Sequence, residues 1–193
     1  MPNNFEDIFK FKPEYKIRKM EIRDLDQVDQ IESDAYGEVH WTRNNFLSEI
    51  SNQVGKYSVL VKDETEVLGY LGSWVVVDEM HVTTVATAKK HLRKGVAETL
   101  LCSSIFGGMQ GRVKCLTLEV RISNIKAQKL YEKYNFKSQG IRKRYYEDNH
   151  EAALILWTED INTEEYQKLF IKNVIALTER CEFFEGLKML RTH

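Results

Sequence analysis

Cysteine is scarce in this sequence. Cys102, Cys115 and Cys181 are the only three among 193 residues. They are odd in number and lack metal-ligand spacing, which argues against a disulfide scaffold and fits free thiols in a reducing cytoplasm. Net charge is scarce too: 28 lysines and arginines against 29 aspartates and glutamates leave a formal −1. That balance gives no electrostatic ground for expecting DNA or a membrane surface as a partner. No apolar run is long enough to span a bilayer. The opening MPNNFEDIFKF carries acids early and has no signal-peptide core, so a cytoplasmic location is expected. Internal repeats and low-complexity linkers are missing. His40, His81, His91, His150 and His193 are scattered without metal spacing, so no metal is expected. No Ser/His/Asp triad can be read.

What remains is ordinary globular composition, 42% hydrophobic and 30% charged, in a chain long enough for one domain with a real core and an appendage. Residues 1–14 read as a short ordered arm, because Phe5, Ile8, Phe9 and Phe11 are more aromatic surface than a disordered tail needs. Tyr15 to Met20 reads as a strand. Asp24 with Gln27 resembles a capping box opening a helix with Leu25, Val28, Ile31 and Ala35 on its apolar side. Gly37 ends or bends it. Thr42 is a fair N-cap for a second helix. Trp41 and Phe46 then stand at the positions of a hydrophobic staple. Tyr57 to Lys62, Val67 to Val77 and Met80 to Thr87 predict a three-stranded antiparallel meander.

The loop Leu92-Arg93-Lys94-Gly95-Val96-Ala97 leads into a helix from Gly95 to about Gln110. A glycine at a strand–loop–helix junction leaves backbone N–H groups unpaired where the helix dipole is positive, which suits phosphate. Neither GxGxxG nor GxxxxGK[ST] occurs, so this is not a nucleotide-binding glycine loop of those kinds. The next segment, LEVRISNIKAQKLYEKYNF over 118–136, predicts a buried strand, a sharp turn and an amphipathic helix. Leu116, Leu118 and Val120 share one strand face; Thr117, Glu119 and Arg121 share the other. A carboxylate inside an apolar strand is costly unless partnered or wet, which makes Glu119 the first candidate for chemistry. An ion pair with Arg121 or Arg144 is the plainer account. Ala127, Leu130, Tyr131 and Tyr134 form a core-facing stripe, and Tyr131 alone reads equally well as a core tyrosine. Asn135 is expected to end that helix in a left-handed conformation. Phe136 to Tyr146 reads as one long strand and Ala152 to Thr158 as the last. Residues 159–193 predict a helical extension, with Asn162 and Glu165 as a capping box, a stripe through Phe170, Val174, Leu177, Cys181 and Phe184, and a break near Gly186. That stripe should cover apolar surface on its own domain or on a second subunit.

LEVRISNIKAQKLYEKYNF, preceded by the Gly95 loop, resembles the second half of a GNAT-superfamily N-acetyltransferase, nearest the RimI-like branch of ribosomal-protein alanine N-acetyltransferases. The similarity extends from about Tyr15 to about Thr158. It implies an α/β (α+β) GNAT fold: a mixed, mostly antiparallel sheet of about seven strands flanked by helices, with the catalytic domain over 15–158. Acetyl-CoA is the implied co-substrate, and the implied acceptor is the N-terminal amine of a protein, with a ribosomal-protein alanine as the inherited case. Carried over position by position, the resemblance makes Glu119 the general base and Tyr131 the general acid. Val85, Ala86 and Thr87 would pair with the pantetheine arm, and a backbone N–H near Val85 and Ala86 would polarise the thioester. Arg93, Lys94, Gly95, Val96, Ala97 and Glu98 would hold pyrophosphate, and Asn124 would also contact the cofactor. Leu92 departs from the pattern, which has Gln or Arg there. Trp41, Tyr145 and Tyr146 would meet the acceptor; the run Arg142 to Tyr146 could otherwise be a solvated edge strand or touch RNA. No cysteine is placed to carry an acyl group, so transfer is expected within a ternary complex. A GNAT enzyme acting on a small amine and a non-catalytic acyl-CoA-binding module are the rival readings.

Overall fold

The structure is a computed structural model, and residues 10–185 of it are described. Phe5, Ile8, Phe9 and the break expected near Gly186 lie outside the described residues. The elements run β1 (Tyr15–Lys19), α1 (Leu25–Tyr36), α2 (Arg43–Ile50), β2 (Gly55–Lys62), β3 (Glu66–Val76), β4 (Glu79–Thr87), α3 (Val96–Gln110), β5 (Cys115–Arg121), α4 (Ile125–Lys133), β6 (Lys137–Arg142), β7 (Ala153–Trp157) and α5 (Glu164–Arg180). The strands form one seven-stranded sheet in the order β1-β2-β3-β4-β5-β7-β6. Neighbours through β4 are antiparallel, as the meander required. The β4–β5 pair is parallel, and a parallel pair needs a crossover, here through α3.

That parallel pair is short. Glu79 to Val82 face Cys115 to Leu118, and there the ladder stops. The cause lies in β4: Gly72 pairs with Thr84 but Ser73 pairs with Val82, so Thr83 is an extra residue bulged out of the β3–β4 ladder. A bulge bends its strand and increases its twist. Beyond it β4 stays on β3 while β5 follows β7 to Arg121. The second half of β4, Thr83 to Thr87, therefore has no partner strand on its β5 side.

Two apolar clusters pack the faces of the sheet. Leu25, Val28 and Ile31 of α1 and Phe46 of α2 pack with Val59, Val61 and Tyr70 on one side. Leu100, Leu101 and Ile105 of α3, with Leu116, Leu118 and Val120, pack on the other. The C-terminal stripe joins this second cluster through Phe170, Val174, Leu177, Cys181 and Phe184. Within the described residues, α5 thus covers its own domain. Gly108 sits against Ile161 and Val113, 3.3 and 3.4 Å from where a Cβ would stand; the glycine lets the start of the extension lie close on α3.

Several local expectations change. Thr42 is the N-cap of the second helix as expected, and with Asn45 it forms a capping box in which the Thr42 N–H donates to Asn45 Oδ1 at 2.8 Å. Asp24 makes no side-chain cap for α1. Instead it accepts the Glu21 N–H at 2.8 Å and two bonds from Arg18 at 2.6 and 2.7 Å, and Gln27 stitches the helix to Thr65 of the β2–β3 turn and to Val67 of β3. The cap of α5 is Thr163, not Asn162; the Asn162 amide donates to the Val113 carbonyl at 2.8 Å. The strand expected to reach Tyr146 stops at Arg142. Arg144 is left-handed, with φ 54°, and Tyr145 and Tyr146 both donate their N–H to the Glu151 carbonyl, which closes a loop instead of a ladder. Asn135 is left-handed as expected, with φ 58°.

Phe170 is 2% exposed and faces the Tyr134 ring at 6.4 Å between centroids. Phe170→Ala should lower unfolding free energy by about 3–5 kcal/mol, read as a shift of the urea midpoint. A loss below 1 kcal/mol would mean that α5 is not part of the cooperative core.

Candidate active site

The gap left by the parting strands opens into a cleft of about 1010 Å³. Its walls come from β4, β5, the N-terminal turn of α3, α4, the loop between α1 and α2, and the loop 143–152. Glu119 is the first β5 residue past the last β4 partner, so its side chain emerges where the strands separate. Tyr131, in the last turn of α4, lines the same cleft. So do Val85, Ala86 and Thr87 of the unpaired edge; Arg93, Gly95, Val96, Ala97 and Glu98 at the start of α3; Asn124; and Trp41, Tyr145 and Tyr146. Of the residues singled out from sequence, Lys94 alone does not line it; its Nζ lies 3.2 Å from Glu182.

Glu119 is neither of the ion pairs expected for it. His81 Nε2 stands 3.0 Å from Oε2, and Arg142 Nη1 stands 3.2 Å from Oε1. The His81 bond, with the charge of Arg142 behind it, outweighs burial and holds the carboxyl below its ordinary range. Arg121 turns elsewhere, to Asp148 at 2.9 Å and Glu151 at 3.2 Å, with its guanidinium 3.8 Å from the Tyr146 ring centre. Tyr131 is buried against Phe136. Burial pushes its hydroxyl up, and the neighbouring phenols Tyr36 and Tyr146 push the same way. The hydroxyl therefore keeps its proton at neutral pH. Asn124 caps α4, accepting the Ala127 N–H at 3.1 Å.

At the other end, Gly95 is left-handed with φ 89°, and a Cβ there would run into the sulfur of Cys181. Only glycine satisfies both demands. The turn leaves the first N–H groups of α3 without intrahelical partners. Trp41 packs on Phe46 at 5.7 Å, as a staple would, and lines the cleft as well.

Three contributors were not singled out from sequence. His81 stands on β4 beside Glu119 of β5, a meeting of two strands that no local spacing in the sequence announces. Tyr36 donates its hydroxyl to the Val85 carbonyl at 2.8 Å. Glu32, on α1, is 3% exposed. It accepts a very short bond from the Tyr70 hydroxyl, one from Thr84 Oγ1 at 3.3 Å and one from the Trp41 N–H at 3.4 Å. Position 32 falls on the stripe of Leu25 and Val28, and a carboxylate on an apolar stripe is the signal that could have found it.

A sheet opened between β4 and β5, with a glycine-turned helix end at one side of the gap, is the arrangement that the resemblance to GNAT-superfamily acetyltransferases implies. The sequence model of the acetyltransferase (GNAT) family matches residues 18–136, and the chain belongs to that family. Among its relatives, a Bacillus subtilis (strain 168) protein named provisionally as a [ribosomal protein bS18]-alanine N-acetyltransferase is 37% identical over 147 residues, covering 76% of this chain and 96% of its own. The Escherichia coli K12 [ribosomal protein bS18]-alanine N-acetyltransferase is 31% identical over 143 residues, covering 72% and 94%. The crystal structure of the ribosomal-protein-S18-alanine N-acetyltransferase from Escherichia coli superposes with a TM-score of 0.69 at 28% identity, over 76% of this chain and 94% of that one.

Burial raises the Glu32 carboxyl to about 7, against the bonds from Trp41 and Thr84. A carboxyl whose folded pKa exceeds its unfolded value destabilises the fold as pH rises. The cost is absent below the unfolded pKa near 4.5 and complete above about 7. Relative to Glu32→Gln, the wild type should therefore lose about 3 kcal/mol between those limits. Parallel stability–pH curves for the two proteins, from urea titrations at pH 4.5 and 7.5, would contradict this assignment.

Proposed function

We propose that this protein transfers the acetyl group of acetyl-CoA to the N-terminal α-amine of a protein, with a ribosomal-protein alanine as the acceptor to test first. The observation that carries this reading is Glu119 emerging where β4 and β5 part, in the cleft that Tyr131 also lines. The relatives named above supply the acceptor class.

The residues present fit acetyl-CoA. An unpaired strand edge at Val85 to Thr87 offers backbone N–H and C=O groups to an extended arm, as sheets accept added strands. The amides at Val96, Ala97 and Glu98, turned by Gly95, suit a diphosphate at the positive end of α3. Asn124, with its Oδ1 committed to the cap, keeps Nδ2 as a donor. When bound, acetyl-CoA supplies the activated acyl group.

Glu119 acts on the acceptor. A free α-amine titrates near ~7.7–8.0, well below lysine near ~10.4, so an N-terminus gives up its proton at neutral pH with modest help. The carboxylate, kept ionised by His81 and Arg142, attracts the ammonium and takes its proton directly or through one water. Tyr131, whose buried hydroxyl stays protonated, is the donor for the leaving sulfur. Trp41, Tyr145 and Tyr146 form the acceptor wall. Tyr146 is clamped by Arg121, and Arg142 lies 5.2 Å from the Tyr145 ring centre. None of Cys102, Cys115 and Cys181 lines the cleft, which favours direct transfer over an acyl-enzyme.

Glu119→Gln should cut turnover by about 10²-fold or more while acetyl-CoA binding stays near the wild-type level; unchanged turnover would remove Glu119 from the chemistry. The class of acceptor is tested by mass spectrometry after incubation with acetyl-CoA and either a library of N-terminal peptides or a panel of small amines. Ala-initiated peptides should be modified preferentially. Products confined to the small amines, or tight binding with no product at all, would reject the peptide reading.

A further inference from the structure

The extension reaches the phosphate end of the cleft. α5 lies outside the stretch that the family model matches, yet its last turn is built against the first turn of α3. Cys181 fills the space that Gly95 leaves empty, with Leu177 beside it. Arg180, the final residue of α5, lines the cleft near Arg93 and Gly95.

Charge sets the problem that Arg180 answers. Glu98 stands in the first turn of α3, among the amides suited to a diphosphate, where a carboxylate would repel it. Three groups converge on that carboxylate: Lys133 Nζ at 2.5 Å, the Tyr134 hydroxyl at 2.8 Å, and Arg180 Nη2 in a very short contact. Burial alone would raise the Glu98 carboxyl, but these bonds hold it below its ordinary value. One negative charge thus faces two positive ones, and the cluster is net cationic. The Arg180 side chain is 46% exposed, and Glu98 is its ion-pair partner among the described residues. A guanidinium has five N–H donors, so one contact leaves a fork free for a second oxyanion. Leu92, exposed at the cleft margin, offers no donor where the family pattern has Gln or Arg.

We infer that Arg180 is a phosphate ligand of the acyl-CoA site, so that this enzyme's cofactor binding depends on its C-terminal extension. The inference rests on the reading of the cleft given above. Arg180 supplies the side-chain donor that Leu92 lacks and offsets the repulsion from Glu98. Its place at the C-terminal end of α5 also complements the helix dipole, so the helix holds a cation there without strain.

The test is titration calorimetry of the full chain with CoA and with dephospho-CoA, comparing wild type, Arg180→Ala, Arg180→Lys and the Glu98→Gln background. Arg180→Ala should weaken CoA about tenfold or more. Arg180→Lys should recover part of that loss, and the salt dependence of binding should flatten in Arg180→Ala. The penalty should persist when Arg180→Ala is placed on Glu98→Gln. An equal loss for dephospho-CoA places the guanidinium on the diphosphate; a loss seen only with CoA places it on the 3′-phosphate. Unchanged CoA affinity in Arg180→Ala would overturn the inference. A penalty that vanishes on Glu98→Gln would do the same, since Arg180 would then serve only as the partner of Glu98. Failure of the wild type to bind CoA would instead sink the reading of the cleft, and this inference with it. Should Arg180→Ala prove unfolded by circular dichroism, Arg180→Gln keeps a hydrogen bond to Glu98 while dropping the charge and takes its place.

Discussion

One extra residue in a strand makes the cleft. Thr83 bulges out of the β3–β4 ladder, and the parallel pairing of β4 with β5 ends beside it. Main-chain groups left unpaired inside a sheet are expensive unless something else meets them. At Val85 the Tyr36 hydroxyl meets one of them. The open edge, the emergence of Glu119 and the cleft that Tyr131 also lines all follow from that break in register. A continuous β4–β5 ladder would bury Glu119 against its neighbour strand and leave no room for an arm to enter.

Two of the carboxylates on the cleft, Glu119 and Glu32, are tuned in opposite directions by what surrounds them. Glu119 sits between a histidine and an arginine and remains charged. Glu32 has hydroxyls and one amide for company and is pushed toward the neutral acid. Burial acts on both, and the presence or absence of a cation decides the outcome. Glu119 thereby suits proton traffic at the acceptor amine. Glu32 suits holding the loop at Trp41 against Tyr70 and Thr84, because a neutral acid can be donor and acceptor at once.

Much of this was legible in the sequence wherever the cause is local. Alternation along β5 exposed Glu119, Asn135 announced the helix end, and Gly95 before an apolar helix marked a turned N-terminus. The resemblance of the segment 118–136 then placed Tyr131 and Asn124. What could not be read depends on distant partners. His81 meets Glu119 only because β4 and β5 are neighbours, and Arg180 meets Glu98 across the packed face of the sheet. Tyr145 and Tyr146 look like strand residues in a β-competent run. The loop forms because Glu151 takes their amides and Arg121 is held by Asp148 and Glu151. Glu32 was within reach of helical counting and was passed over among the other acids of α1.

Three helices end at Glu98. The positive start of α3 carries the carboxylate, while the negative ends of α4 and α5 carry Lys133 and Arg180. Each terminus thus carries a side chain whose charge opposes its own dipole, and those side chains pair with one another. Aspartate in place of Glu98 would be one methylene short of this knot, and glutamine would lack the charge that gathers it. The tail is therefore no detachable appendix: cutting it away would leave a half-compensated anion at the mouth of the phosphate end, and the core of the domain would feel the amputation through α3 and α4 together.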